Sequence, residues 1–327
     1  MKLVTFVSVD GAARSGALID DGNQVVDLQA AHMSRWNAPA KALDSVLAIA
    51  EGGQNALACA QDAIKAAKAD SIHARSGVKL LAPIPAPPQM RDFLCFEAHL
   101  QQAFKAARMV RAEGADDPEA AMRDMEAKGI LVVPQVWYER PIFYHPNRLN
   151  VIGTDVDVHW PSYSNRMDFE LEFGCYIGTR GRDIPKERAR EHIFGYTIFN
   201  DFSARDEQVK EMPGQLGPGK GKDFDGGNAM GPCLVTADEI DPYNLTMICR
   251  VNGEEWGRGN SRDMKWRFED CIAHAARGET LYPGEFFGSG TVGNGCGLEH
   301  MRFLKSGDVV ELEVEGIGVL RNRVFHD

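Results

Sequence analysis

The 327-residue sequence lacks the features that mark several large classes of protein. No stretch approaches the ~20 consecutive apolar residues of a membrane-spanning helix. The N-terminus, Met1-Lys-Leu-Val-Thr-Phe-Val-Ser8, has neither the apolar core nor the cleavage site of a secretory signal, so a cytoplasmic protein is expected. Basic residues are in deficit, with a formal net charge of −11, and this argues against nucleic acid or an anionic membrane as partner. An anionic small molecule would therefore need a local cluster of cations. The seven cysteines are scattered and odd in number, with no Cys-x-x-Cys, which excludes a disulfide framework and a thiolate zinc knuckle. There is no internal repeat and no low-complexity tract.

What is present is an ordinary globular composition, 44% hydrophobic and 25% charged. Residues 1 to 30 alternate as short strands, and two helical stretches follow over 42–50 and 56–69, broken at Gly52-Gly53. Leu81-Ala-Pro-Ile-Pro-Ala-Pro-Pro88 is a proline-rich extended connector, and the division expected is a small α+β domain over 1–85 and a main domain over 86–327. In the main domain, helices are expected from His99 to about Glu113 and over 117–128. Residues 130–160 read as extended and aromatic, and most of the chain beyond Cys233 reads as strand. Ser203 and Asp206 have the spacing of a helix capping box.

The chemistry concentrates in Arg166-Met-Asp-Phe-Glu-Leu-Glu-Phe-Gly174. A strand's period of two puts Asp168, Glu170 and Glu172 on one face. Alternate residues lie about 6.6 Å apart, so flexible carboxylates there can converge on one hard cation or form a plain solvated face. The apolar run Ile193-Phe-Gly-Tyr-Thr-Ile-Phe-Asn-Asp201 ends in a carboxylate that, once buried, needs a cationic partner. Three acids without a nearby Cys or His suit Mg²⁺, Mn²⁺ or Ca²⁺ better than Zn²⁺. The glycine-rich loop 214–227 carries Lys220 and Lys222, but Lys222 is followed by Asp223, so it is not a nucleotide-binding loop. The glycines of Gly288-Ser-Gly-Thr-Val-Gly-Asn-Gly295 permit a close backbone approach to a ligand or simple turns.

These pieces resemble the fumarylacetoacetate hydrolase family from about residue 90 to the C-terminus. Asn200-Asp-Phe-Ser-Ala-Arg-Asp-Glu-Gln208 is close to that family's Asn-Asp-x-[Ser/Thr]-Ala-Arg-Asp-x-Gln signature. The resemblance implies an α+β, mainly β fold, a mixed β-sandwich roll behind a small N-terminal domain, and a homodimer. It implies a divalent cation, Mg²⁺ first, on Asp92, Glu170, Glu172 and Asp201. It assigns His99 as general base with Glu299 orienting it, Lys222 and Gln208 as catalytic partners, and Arg108, Tyr144 and Thr291 as substrate contacts. Leu94 and Met212 stand where fumarylacetoacetase carries tyrosines, which implies a different substrate. The activity implied is hydrolysis of a carbon–carbon bond in an anionic β-diketo acid or acylpyruvate. A decarboxylase, isomerase or sugar-acid lyase or dehydratase is the alternative on the same scaffold, and a non-catalytic binding protein is the alternative of another class. Residues 114–140 are a candidate lid.

Overall fold

A computed structural model describes residues 1–8 and 11–326. Its centre is a large mixed sheet whose strands run in the spatial order Ile72–Ala74, Gln24–Asp27, Ala13–Ile19, Lys2–Val7, Asn228–Thr236, Ile193–Asp201, Leu171–Ile177, Phe286–Gly288, Met90–Phe93 and Phe143–Tyr144. A second sheet stacks Glu254–Asn260, Thr246–Val251, Val309–Val314, Gly318–Phe325 and Asp157–His159. The strand Ile193–Asp201 is buried at every position, so its sequence is a continuous apolar run rather than an alternating one. The mixed α+β, mainly sheet architecture is the one expected.

Residues 1–85 do not form a separate layer. Lys2 and Leu3 pair with Val235 and Leu234, so the N-terminal strands extend the central sheet. One apolar core joins Leu3, Ala17, Val26 and Val46 to Tyr176, Phe199, Leu234 and Phe286. The helix Val46–Ala66 covers it and bends at Gly53, whose φ of 57° lies in the left-handed region. Leu28–Trp36 is a helix the sequence reading missed: Asp27 ends a strand and accepts the Ala30 N–H at 2.9 Å, the local signal of a helix start.

Two further readings are corrected. Residues Gln135–Glu139 form a short helix within the region read as extended, pinned where Trp137 donates its indole N–H to the Leu94 carbonyl at 2.6 Å. The capping box does not form. Ser203 donates to the Asp201 carbonyl, while Asp206 accepts from the Ser164 hydroxyl at 2.6 Å and the Asn165 N–H at 2.8 Å, a tertiary use that the local spacing does not reveal.

Because the N-terminal strands complete a shared core, we propose that the 85/86 division is one of sequence and not of stability. A chain beginning at Ala86 is expected to lose the cooperative thermal transition of the full chain, as read by circular dichroism.

Candidate active site

Four strands bring the acids together. Glu172 lies opposite Phe199 in the antiparallel pair, and Asp201, two residues on, faces the same way as Phe199. Asp92 sits in register between Gly288 and Tyr144. A Cβ at Gly288 would stand 2.3 Å from Asp92 Oδ1 and 3.4 Å from Glu172 Oε2, so the bare backbone there makes room for both carboxyls. Gly290, at φ 72°, turns its N–H onto Asp92 Oδ1 at 3.2 Å.

Asp92, Glu172 and Asp201 each place an oxygen within 4.8 Å of the others, and all three are buried. Like charges this close resist ionisation together. Burial first, and Asp201 second, push Asp92 up to about 8, while burial followed by Asp92 raises Glu172 well above the carboxylate range. Asp201 is pushed up to about 6, by burial against the opposing pull of Lys222. Among the described residues, Glu172 Oε2 and Asp201 Oδ1 have no hydrogen-bond partner. Three all-oxygen ligands with two buried, unmatched oxygens fit a hard divalent cation.

Glu170, which the resemblance also places in the ligand set, lies beside the trio and shares Lys222 with Asp201. Its carboxylate is held by Lys222 Nζ at 2.5 Å and Arg205 at 2.8 Å. Burial alone would raise it, but Lys222, then Arg205 and His99, hold it below the usual carboxylate range. Lys222 also donates to Asp201 Oδ2 at 2.6 Å, so one buried ammonium neutralises two acids far apart in the sequence. Arg205 bridges further, to Asp168 Oδ2 at 2.8 Å and Gln208 Oε1 at 3.0 Å. Arg205 and Asp168 are the site residues the sequence reading left without a role, yet Arg205 lies inside the quoted signature. Asp168 is spent structurally, accepting from the Gly297 and Leu298 N–H groups.

His99, in the first turn of the helix Glu97–Ala112, meets Glu299 with Nδ1 3.1 Å from Oε1. Glu299 also accepts the Asn294 N–H at 3.2 Å and the Cys296 N–H at 2.9 Å. A carboxylate so engaged accepts from imidazole, which makes Nδ1–H the donor and leaves Nε2 to take a proton. Gln102 and Asn294 exchange two hydrogen bonds that clamp this helix to the loop carrying Glu299. Tyr144 donates to Asp201 Oδ2 at 2.8 Å, and Thr291 to Glu172 Oε1 at 3.4 Å. Arg108, expected at the substrate, is occupied elsewhere: its guanidinium donates to the Leu131 carbonyl and lies 3.6 Å from Glu126, tying its helix to the segment 114–140.

Residues 90–325 match the family model described as fumarylacetoacetate (FAA) hydrolase C-terminal. The chain belongs to the fumarylacetoacetate hydrolase family. Over 99% of its length it is 32% identical to the Xenopus laevis protein named oxaloacetate tautomerase fahd2, mitochondrial, covering 90% of that relative. It is 38% identical over 188 residues to human oxaloacetate tautomerase FAHD2A, mitochondrial, which covers 57% of this chain and 59% of that one. Among solved structures, a fumarylacetoacetate hydrolase from psychrophilic Exiguobacterium antarcticum superposes with a TM-score of 0.73 at 25% identity, covering 100% of both chains. A maleylpyruvate hydrolase from Sphingobium sp. SYK-6, in complex with manganese(II) and pyruvate, shares the fold with a TM-score of 0.71 at 20% identity, covering 100% of this chain and 99% of that one. Members of this enzyme family hold a divalent metal, and the buried trio here is a fitting seat for one.

The sign of the pH dependence follows from the raised carboxyls. They bind protons more tightly folded than unfolded, where a carboxyl titrates at about 4. The metal-free protein is therefore expected to lose thermal stability as pH rises from about 4 through about 6 (Asp201) and about 8 (Asp92). Mn²⁺ binds the deprotonated acids, so its stabilising shift should grow over the same window, reaching about 2.7 kcal/mol at 100 times Kd. Asp201→Asn is expected to abolish the Mn²⁺-induced shift in differential scanning fluorimetry.

Proposed function

We propose that this chain catalyses cation-dependent proton transfer on a small 2-oxo acid, enol–keto tautomerisation of an oxaloacetate-like dicarboxylate. The observation that carries the reading is the His99–Glu299 pair, whose imidazole acts on Glu170, the acid that Lys222 joins to Asp201 of the buried trio. The near full-length relative named oxaloacetate tautomerase supports this reaction class over the others. Mg²⁺ is the ion proposed, with Mn²⁺ next, in a homodimer working in a reducing, cytoplasmic compartment. A divalent cation held by Asp92, Glu172 and Asp201 supplies Lewis-acid polarisation of the 2-oxo group and its neighbouring carboxylate.

The remaining steps belong to the chain's own side chains. His99 Nε2 takes the proton from the substrate and returns it, carrying it between carbon 3 and the enol oxygen. Glu299 keeps the ring in the tautomer that leaves Nε2 free and faces the imidazolium that forms. Lys222, ionised and fixed between Glu170 and Asp201, stands against negative charge developing on the enol oxygen. Gln208, held by Arg205, and Thr291 and Tyr144, each bonded to a trio carboxylate, line the same space and position the substrate. Arg108 would pair with the distal carboxylate once released from Leu131 and Glu126.

Hydrolysis of an acylpyruvate is the second reading. It is favoured by the two backbone N–H groups that pin Glu299, since a histidine oriented so firmly also suits activation of water. Product analysis separates the two: tautomerisation leaves the carbon skeleton intact, and hydrolysis yields two acids.

His99→Ala is expected to lower kcat for enol-oxaloacetate by about 10²–10⁴-fold, followed by the loss of enol absorbance. Its Mn²⁺-induced thermal shift should match the wild type. A variant with undiminished turnover would remove His99 from the mechanism.

A further inference from the structure

Beside the all-oxygen trio lies a second group of ligand atoms with different chemistry. A ring nitrogen of His99, the sulfur of Cys296 and a carboxylate oxygen of Glu299 all lie within 4.8 Å of one another. Cys296 is fully buried, and its free thiol makes no hydrogen bond among the described residues. That thiol is not distant from the reaction space: the backbone of Cys296 bridges that of Glu170. His99 and Glu299 are equally enclosed, with side chains 8% and 1% exposed.

Nitrogen, sulfur and carboxylate oxygen together are the donor set of zinc and its heavier congener cadmium, whereas magnesium and calcium take oxygen alone. Ligands on a tetrahedral zinc stand about 3.5 Å apart, so the three atoms need draw in by little more than an ångström. We propose that His99, Cys296 and Glu299 form a second metal site, selective for thiophilic divalent cations such as Zn²⁺ or Cd²⁺, with water as the fourth ligand. On binding, the Cys296 sulfur forms the metal–sulfur bond and its proton leaves to solvent.

Occupancy of this site removes the base. Coordination through Nδ1 breaks the hydrogen bond to Glu299, and coordination through Nε2 blocks the nitrogen that accepts the proton. The protein then carries two adjacent sites of opposite consequence, a hard-cation site that supports the reaction and a soft-cation site that stops it. This inhibitory consequence rests on the role proposed for His99, whereas the existence of the site does not.

The test uses the full chain with Mn²⁺ in excess, titrated with Cd²⁺, and follows the ultraviolet charge-transfer band of the cadmium–thiolate bond. A band saturating near one equivalent per chain is expected, and in Cys296→Ala it should fall at least tenfold at the same Cd²⁺. His99→Gln keeps the thiol and should weaken Cd²⁺ binding at least tenfold by the same band, which preserves the test if Cys296→Ala does not fold. A band of equal strength in Cys296→Ala would overturn the site, as would no band at one equivalent in the wild type. For turnover, Zn²⁺ should inhibit the wild type at least tenfold more strongly than Cys296→Ala. If the band depends on Cys296 and turnover is untouched by Zn²⁺, the site stands and the assignment of His99 as base falls.

Discussion

The arrangement depends on how several buried carboxylates are kept together. Two unit charges 4 Å apart interact by about 4 kcal/mol at an effective dielectric of 20, and burial adds a desolvation cost for each. Asp92, Glu172 and Asp201 are nevertheless within 4.8 Å, with Glu170 engaged by the same ammonium as Asp201. The chain meets this in two ways. Lys222 and Arg205 neutralise Glu170, Lys222 also pairs with Asp201, and the remaining acid oxygens are free to bind protons or a divalent cation. Two kinds of partner therefore serve these acids, fixed side-chain cations on one hand and protons or a metal ion on the other.

That division of labour relies on the sheet. Acids from the strands Met90–Phe93, Leu171–Ile177 and Ile193–Asp201 converge because the register aligns them and because Gly288 leaves the space a side chain would take. The N-terminal strands and the helix Val46–Ala66 add a shared apolar core that includes Phe199, on the face of the sheet to which Glu172 and Asp201 also point. His99 arrives separately, on a helix clamped through Gln102 and Asn294 to the loop that supplies Glu299. The two halves of the site therefore have different origins, the sheet for the acid cluster and a helix–loop junction for the His99–Glu299 pair.

Much of the centre was legible beforehand because its signals are local or carried by a motif. Glu172 and Asp201 follow from strand alternation and from an apolar run ending in an acid. Asp92, His99 and Glu299 came from the resemblance, since residues 92, 99 and 299 have no local pattern that unites them. Local rules failed where tertiary partners competed for the same side chain. Asp206 has the spacing of a cap yet accepts from Ser164 and Asn165. Arg108, placed at the substrate by the resemblance, is engaged instead by the Leu131 carbonyl. The helix Gln135–Glu139 is held in place partly by the indole of Trp137, which no periodicity records.

The amino-acid sequence by itself determined most classes of element, the alternating acids from Asp168 to Glu172, the lack of any apolar run long enough for a membrane-spanning helix, and the signature that names the family. These depend on side-chain period and composition, which are properties of neighbours along the chain. Only the tertiary structure decided which acids Lys222 and Arg205 meet, that the first 85 residues extend the central sheet, and that Cys296 lies beside His99 and Glu299. Those outcomes depend on strand register and on competition for buried charges between residues far apart in sequence, and such competition is settled only when the sheet has closed around them.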